Sequence, residues 1–284
     1  MITLKKTAYY LLIVLMTIST FFITPVHAQS TSALNEDEEK TELKVGTSSG
    51  DFGDLVREFL IPAMKEMGYR LDLTEINDIV IPNISVDEGA LDFNIFQHKP
   101  YMDEYNANNS GNLYTLVQVP TAPYGIYAGK SKALTDIHSG ATIAIPSNVT
   151  NYSRGLWILE ALGWIKLRKD ADRFALRKTD ILENPYHLNI KEVDAAQIPR
   201  VRQDVDFAII NGNFAHEAGI PFTQALFIEP SKYFVNWVVI NEKNRGTKWA
   251  KVLEETLNST EFKTFTAERF PGYNLPLSWE EDPK

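Results

Sequence analysis

Val119-Pro120-Thr121-Ala122-Pro123-Tyr124-Gly125-Ile126-Tyr127-Ala128-Gly129 is the stretch on which the fold turns. Prolines, glycines and aromatics follow one another in an extended run, which reads as the chain crossing from one lobe into another. Upstream, short apolar runs alternate with helical periodicity. Strands are expected at 43–46, 71–76, 91–96 and 113–119, and helices at 51–67, 82–88 and 100–108. Gly68 supplies the left-handed stop of the first helix. Strand and helix alternating at this spacing predict an α/β lobe built on a largely parallel sheet. Downstream the cycle restarts, with strands at 141–145 and 188–193 and a helix at 151–162. Phe207-Ala208-Ile209-Ile210 is apolar without interruption, as suits a strand covered on both faces. A strand at 234–240 and helices at 247–257 and 260–270 close the chain, with the return crossing just before 234. The expected division is residues 43–127 plus 229–284 for one lobe and 128–228 for the other. Two connections between two lobes make a hinge.

The chain has 284 residues, enough for two lobes with a core in each. Its N-terminus differs in kind from the rest. Lys5 and Lys6 precede an apolar run to Ile23, then Val26-His27-Ala28 and Gln29. A basic start, a greasy stretch and a small-residue exit describe a secretory signal peptide over 1–28. The apolar run falls short of the roughly 20 residues that span a bilayer. Residues 29–42, with Glu36-Asp37-Glu38-Glu39, have almost nothing to bury and read as a disordered tether. There are no cysteines, which excludes disulfides, thiolate metal sites and cysteine nucleophiles. It also removes the residue that carries lipid after a lipoprotein signal, so the expected product is soluble, periplasmic or secreted, and without a lipid anchor. The net charge is −9, the opposite of a nucleic-acid binder's footprint, so no nucleic-acid partner is expected.

Ligands of open α/β sheets sit at the carboxyl ends of the strands. The residues following the expected strands are rich in neutral hydrogen-bonding groups: 46–51, Gln97-His98, 146–151 and Asn211-Gly212-Asn213. Arg154 lies three residues after Asn151, so a helix puts both on one face, near free backbone N–H groups. Its planar fork pairs with a carboxylate in two parallel hydrogen bonds. It reads either as a carboxylate clamp or as a solvated helix arginine. Asn236 is the lone amide in Phe234-Val235-Asn236-Trp237-Val238-Val239-Ile240. Left unpartnered it would cost about 1–3 kcal/mol, so backbone, water or ligand must satisfy it. Phe96, His98 and Tyr101 form an aromatic set that either walls an apolar pocket or belongs to ordinary core.

Enzymatic patterns are few: no HExxH, P-loop or GxGxxG occurs. The five histidines, His27, His98, His138, His187 and His216, show no metal-ligand spacing. No acid–base pair stands out, and no catalytic residue, metal or cofactor is expected.

FQHKPY at 96–101, VPTAP at 119–123, IPSNVTNYSR at 145–154, NPYHLNIKEVDAAQIPR at 184–200, INGNFA at 210–215 and YFVNW at 233–237 resemble the NlpA/MetQ family, as does GDFGD at 50–54. The likeness runs from about Leu43 to Trp279. It implies a two-lobed periplasmic binding protein fold (type II-like) that closes around one amino acid and serves an ABC transporter permease. L-Methionine is the implied ligand. Arg154 would hold the ligand carboxylate, Asn151, Asn211 and Asn236 the head group, and Phe96, His98 and Tyr101 the thioether. The family commonly has a tyrosine within the segment matching 77–83, where this chain has Ile79. A pocket without that ring and hydroxyl leaves another apolar amino acid, or a methionine-containing dipeptide, as the alternative ligand. Many members are lipoproteins, whereas this chain lacks the cysteine.

Overall fold

A computed structural model of the chain describes residues 40–279. The expected leader at 1–28 and the tether up to residue 39 lie outside them. The tether's end does not: strand β1 (Glu42–Thr47) already begins within it.

After β1 a continuous helical path runs through α1 (Asp51–Asp54), a π segment (Leu55–Leu60) and α2 (Ile61–Glu66). The sequence predicts one α-helix here. Pro62 has no N–H, and its ring crowds the carbonyl four residues back. The wider turn accommodates it, and the Ile61 N–H reaches back to the Val56 carbonyl. Gly68, at φ 87°, stops the helix. Strand β2 (Arg70–Glu75), α3 (Ile81–Asp87), β3 (Phe93–His98), α4 (Lys99–Asn109) and β4 (Leu113–Val119) complete the first run. The chain then builds β5 (Gly125–Ala128), β6 (Thr142–Pro146), α5 (Val149–Ala161), the paired β7 (Lys166–Leu167) and β8 (Ile181–Glu183), β9 (Asn189–Val193), α6 (Ile198–Val201), β10 (Phe207–Ile210), α7 (Gly212–Glu217) and β11 (Ala225–Ile228). It returns through β12 (Asn236–Asn241) to α8 (Lys248–Asn258) and α9 (Thr260–Arg269).

Two five-stranded sheets result, ordered β2-β1-β3-β12-β4 and β11-β5-β10-β6-β9. The expectation of a largely parallel sheet needs one correction in each. β12 runs antiparallel to both β3 and β4, and β5 runs antiparallel to both β10 and β11. These are the strands by which the chain enters each sheet after a crossing. Asn236, first in β12, pairs with His98 and Val119, last in β3 and β4. Gly125, first in β5, pairs with Ile210 and Ile228, last in β10 and β11. Both crossings therefore run between the carboxyl edges of the two sheets.

The expected boundary at 127/128 is also corrected. It falls inside β5, which belongs to the second sheet, so the first crossing is 120–124. The second is 229–235, because β11 ends at Ile228 and β12 begins at Asn236.

Each sheet is packed on both faces. Val45, Phe93, Ile95 and Val238 meet Phe52, Leu55, Leu253 and Phe262 on one side of the first sheet, while Val239 turns to Val86, Leu91 and Met102 on the other. In β10, Phe207 and Ile209 face Leu156, Leu159 and Trp164; Ala208 and Ile210 face Ile198, Phe214 and Ile220. All four β10 residues are fully buried, which is why the run is apolar without alternation.

Candidate functional site

Between the carboxyl edges lies a cavity with an open mouth. Arg154, Asn151, Asn211, Asn236, Phe96, His98 and Tyr101 all line it, and so do Ile79 and Tyr124. The elements explain the convergence. β3 extends to His98, two residues past its expected end, because β12 pairs with it there. His98 caps α4 by accepting the Tyr101 N–H at Nδ1, 3.2 Å. Asn211 stands between β10 and α7.

Arg154 needs a correction of place. Helix α5 begins at Val149, after Asn148 in extended conformation, rather than at Asn151. Arg154 therefore sits in the second turn, and its reach into the cavity comes from its side chain rather than from the helix terminus.

Asn151 is the hub of the polar network. Its Oδ1 accepts from His98 Nε2 at 3.0 Å, Arg154 Nη1 at 3.1 Å and Asn211 Nδ2 at 3.2 Å. His98 accepts through Nδ1, so Nε2 carries the proton and donates. The ring is neutral: burial first, then the Arg154 charge, lowers its pKa to about 3. Tyr124 donates its hydroxyl to the Asn151 carbonyl at 3.0 Å. Asn211 Oδ1 is buried with no hydrogen-bond partner. Asn236 Nδ2 donates to the Phe96 carbonyl at 3.0 Å and its backbone N–H to Thr121 Oγ1 at 2.8 Å. Backbone thus takes one of the two amide N–H groups, which leaves the second N–H and Oδ1.

Arg154 is not a solvated helix arginine. It is 6% exposed and paired with Glu229, 7% exposed. Nη2 meets Oε2 at 2.6 Å, and Nε lies 3.2 Å from the same oxygen. The guanidinium carbon lies over the rings of Tyr124 and Phe234, at 4.3 and 4.2 Å from their centroids. A guanidinium has five N–H donors. Glu229 takes Nε–H and one from Nη2, and Asn151 takes one from Nη1. One N–H on each terminal nitrogen stays unclaimed, as a carboxylate needs.

The apolar side is made of rings at right angles. Phe96 and Tyr101 stand edge to face at 6.0 Å, and His98 and Phe234 at 5.0 Å. Tyr101 donates its hydroxyl to the Ile79 carbonyl at 2.7 Å. Ile79 itself packs against the second sheet's cluster around Ala195 and Phe214. Further contacts bridge the two edges, from Asn213 Nδ2 to Ser48 Oγ at 3.2 Å and from Asn77 Nδ2 to Glu217 Oε1 at 2.9 Å. Gly212 lets the turn after β10 lie against the first crossing, since a Cβ there would meet the Ala122 carbonyl oxygen at 2.4 Å.

The sequence reading missed Glu229, Tyr124 and Phe234. Tyr124 lay in the run that marked the crossing, and Phe234 stood two residues before Asn236. Nothing local distinguishes Glu229 from a solvated glutamate. Among the described residues, no group of three or more His, Cys, Asp or Glu is placed to hold a metal. No helix among them is long and apolar enough to cross a membrane.

His98 gives a pH prediction. In the unfolded chain it takes a proton near pH 6.5, whereas folded it stays neutral down to about 3. Unfolded protein then binds more protons over this interval, so His98 stabilises less as pH falls through it, by at most about 1.4 kcal/mol per pH unit. Melting curves of wild type and His98→Gln at pH 4.5 and 7.5 check this. The difference between them is expected to move in favour of wild type at the higher pH.

A family model described as NlpA lipoprotein matches residues 43–278. A relative in Pasteurella multocida, named probable D-methionine-binding lipoprotein MetQ, is 32% identical and covers 85% of this chain and 88% of its own. A solved nutrient-binding protein from Burkholderia cenocepacia, bound to methionine, superposes with a TM-score of 0.78 at 34% identity, over 83% of this chain and 99% of that one. The periplasmic substrate-binding protein of an ABC transporter from Coxiella burnetii gives 0.76 at 32% identity, over 82% and 99%.

Proposed function

The chain belongs to the NlpA lipoprotein family, and from that footing we propose that it is an extracytoplasmic solute-binding protein that delivers methionine to an ABC transporter. The observation that carries the reading is the meeting, in one cavity, of an arginine fork with two unclaimed N–H groups, an unpartnered buried amide oxygen and a ring of aromatics. The relatives' names and the methionine-bound neighbour support the choice of ligand.

The ligand carboxylate meets the free N–H groups of Arg154. Its ammonium faces Asn211 Oδ1 and Asn236 Oδ1, while Asn151 holds Arg154, His98 and Asn211 in register. The thioether leaves water for Phe96, His98, Tyr101 and Ile79. Burying such a side chain contributes roughly 1.5–3 kcal/mol, while micromolar affinity requires about 8. Head-group contacts in a preformed cavity supply the difference. Each sheet is the core of one lobe, the segments 120–124 and 229–235 form the hinge, and the closed lobes dock on the transporter's permease. The polar groups facing the cavity suit holding a ligand rather than transforming it: an arginine, a neutral histidine, amides and the hydroxyls of Thr121, Tyr101 and Tyr124. The chain acts outside the cytoplasm. Relatives are named lipoproteins, which runs against the expectation of a form without a lipid anchor; the 284 residues themselves hold no cysteine.

Calorimetry on protein unfolded, stripped of ligand and refolded tests the proposal. One-to-one binding of L-methionine, micromolar or tighter, is expected. At a hundredfold excess over Kd this stabilises the fold by about 2.7 kcal/mol. Ile79 at the wall keeps a second reading open, for another apolar amino acid or a methionine-containing dipeptide. A thermal-shift screen of the twenty amino acids, D-methionine and such dipeptides decides between them.

A further inference from the structure

We propose that Glu229 is a positioning residue: it fixes the Arg154 guanidinium by one edge so that the remaining N–H groups face the cavity, and it ties that grip to the hinge. The inference rests on the reading that an amino acid occupies the cavity.

Glu229 is absent from the cavity wall, so it acts through Arg154 rather than on a ligand. Its carboxylate takes the side of the guanidinium formed by Nε and Nη2. The rings of Tyr124 and Phe234 both lie against the guanidinium carbon. With one edge held by the carboxylate and two rings against the guanidinium carbon, the fork is restrained in orientation. The three residues that impose it come from the crossings: Tyr124 from the first, Glu229 and Phe234 from the second. The crossings are joined at the same point, where the Glu229 backbone N–H donates to the Tyr124 carbonyl at 2.9 Å. Arg154 belongs to α5, on the second sheet. Glu229 thus connects the helix that carries the fork to both hinge strands.

The charge also matters. Apart from Arg154, the candidate residues facing the cavity are neutral. Glu229 cancels the arginine's charge where both side chains are buried, and a buried cation without a partner is strongly disfavoured. A glutamine of the same size keeps one acceptor but turns an N–H₂ toward an N–H of the guanidinium. Aspartate keeps the charge and loses reach. A space-filling role would rank glutamine above aspartate, whereas a positioning role carried by charge ranks aspartate above glutamine.

The test is calorimetric titration of L-methionine into wild type, Glu229→Gln and Glu229→Asp, with ligand-free melting curves alongside. Glu229→Gln is expected to lose at least tenfold in affinity and Glu229→Asp to lose less. Glutamine binding within threefold of wild type, or tighter than aspartate, overturns the proposal. Should either variant fail to fold, the unmodified chain labelled with ¹⁵N-arginine supplies the readout. The Arg154 Nε–H, assigned by its disappearance in Arg154→Lys, is expected to exchange slowly with water before and after L-methionine is added. Fast exchange in either state overturns the proposal. Failure of wild type itself to bind L-methionine would instead strike the functional reading, so the two failures are distinct.

Discussion

Arg154→Ala is expected to lose at least a hundredfold in L-methionine affinity and to melt well below wild type. The two losses have separate causes. Affinity falls because the only cation lining the cavity, among the described residues, is gone, and with it the two free N–H groups for the carboxylate. Charge-assisted bonds of this kind contribute about 1.5–3 kcal/mol each, so a paired loss exceeds a factor of a hundred. Stability falls because Glu229, 7% exposed, is left as a buried anion without its partner. Breaking one side of a buried pair costs about 3–5 kcal/mol. The double variant Arg154→Met/Glu229→Met separates these effects. Removing both charges and filling the space is expected to restore most of the melting temperature and none of the binding. Calorimetry and thermal denaturation on the two variants check both halves. A single variant that melts low and still binds normally would contradict the assignment.

Asn151→Leu is expected to damage the site almost as severely without touching a charge. Asn151 Oδ1 is the shared acceptor of His98 Nε2, Arg154 Nη1 and Asn211 Nδ2. Leucine fills a similar volume and leaves all three donors facing a hydrocarbon. A buried donor that loses its acceptor costs about 1–3 kcal/mol. Relaxation, with Arg154 turning its freed N–H elsewhere, recovers part of this. A net loss of about 2–4 kcal/mol in denaturant unfolding is the expected result, with affinity falling by at least thirtyfold. Asn151→Asp is the informative companion. It keeps the acceptor but adds a negative charge next to the ligand carboxylate's place, so it should retain more stability than leucine while still binding poorly.

The parts of this molecule that sequence could disclose are those written in local pattern. Phe207–Ile210 is apolar at every position because both faces of β10 are covered, and that run alone placed the strand. The proline- and glycine-rich run after Val119 marked the first crossing. The candidate ligand residues converge because ligands of such sheets collect at strand ends, and strand ends are visible as polar breaks after apolar runs. The orientation of β5 and β12 was not legible. It depends on which sheet edge the chain enters, and no local periodicity records that. The short elements β7, β8, α6, α7 and β11 have too few residues for a period to emerge. Glu229 shows the deeper limit. Its role is set by Arg154, 75 positions away in the chain, and a glutamate between isoleucine and proline looks the same whether its partner is water or a buried guanidinium. Ile79 lies between these cases. The departure was visible in the sequence, but not that its carbonyl anchors the Tyr101 hydroxyl.

Crystals of the chain grown with L-methionine offer the most direct measurement, the position of the bound ligand at atomic resolution. The carboxylate should lie within hydrogen-bond distance of Arg154 Nη1 and Nη2, with the ammonium toward Asn211 Oδ1 and the sulfur among Phe96, His98 and Tyr101. A ligand lying in the reverse sense, with its ammonium against Arg154, or bound outside the space between the two sheets, would contradict the account.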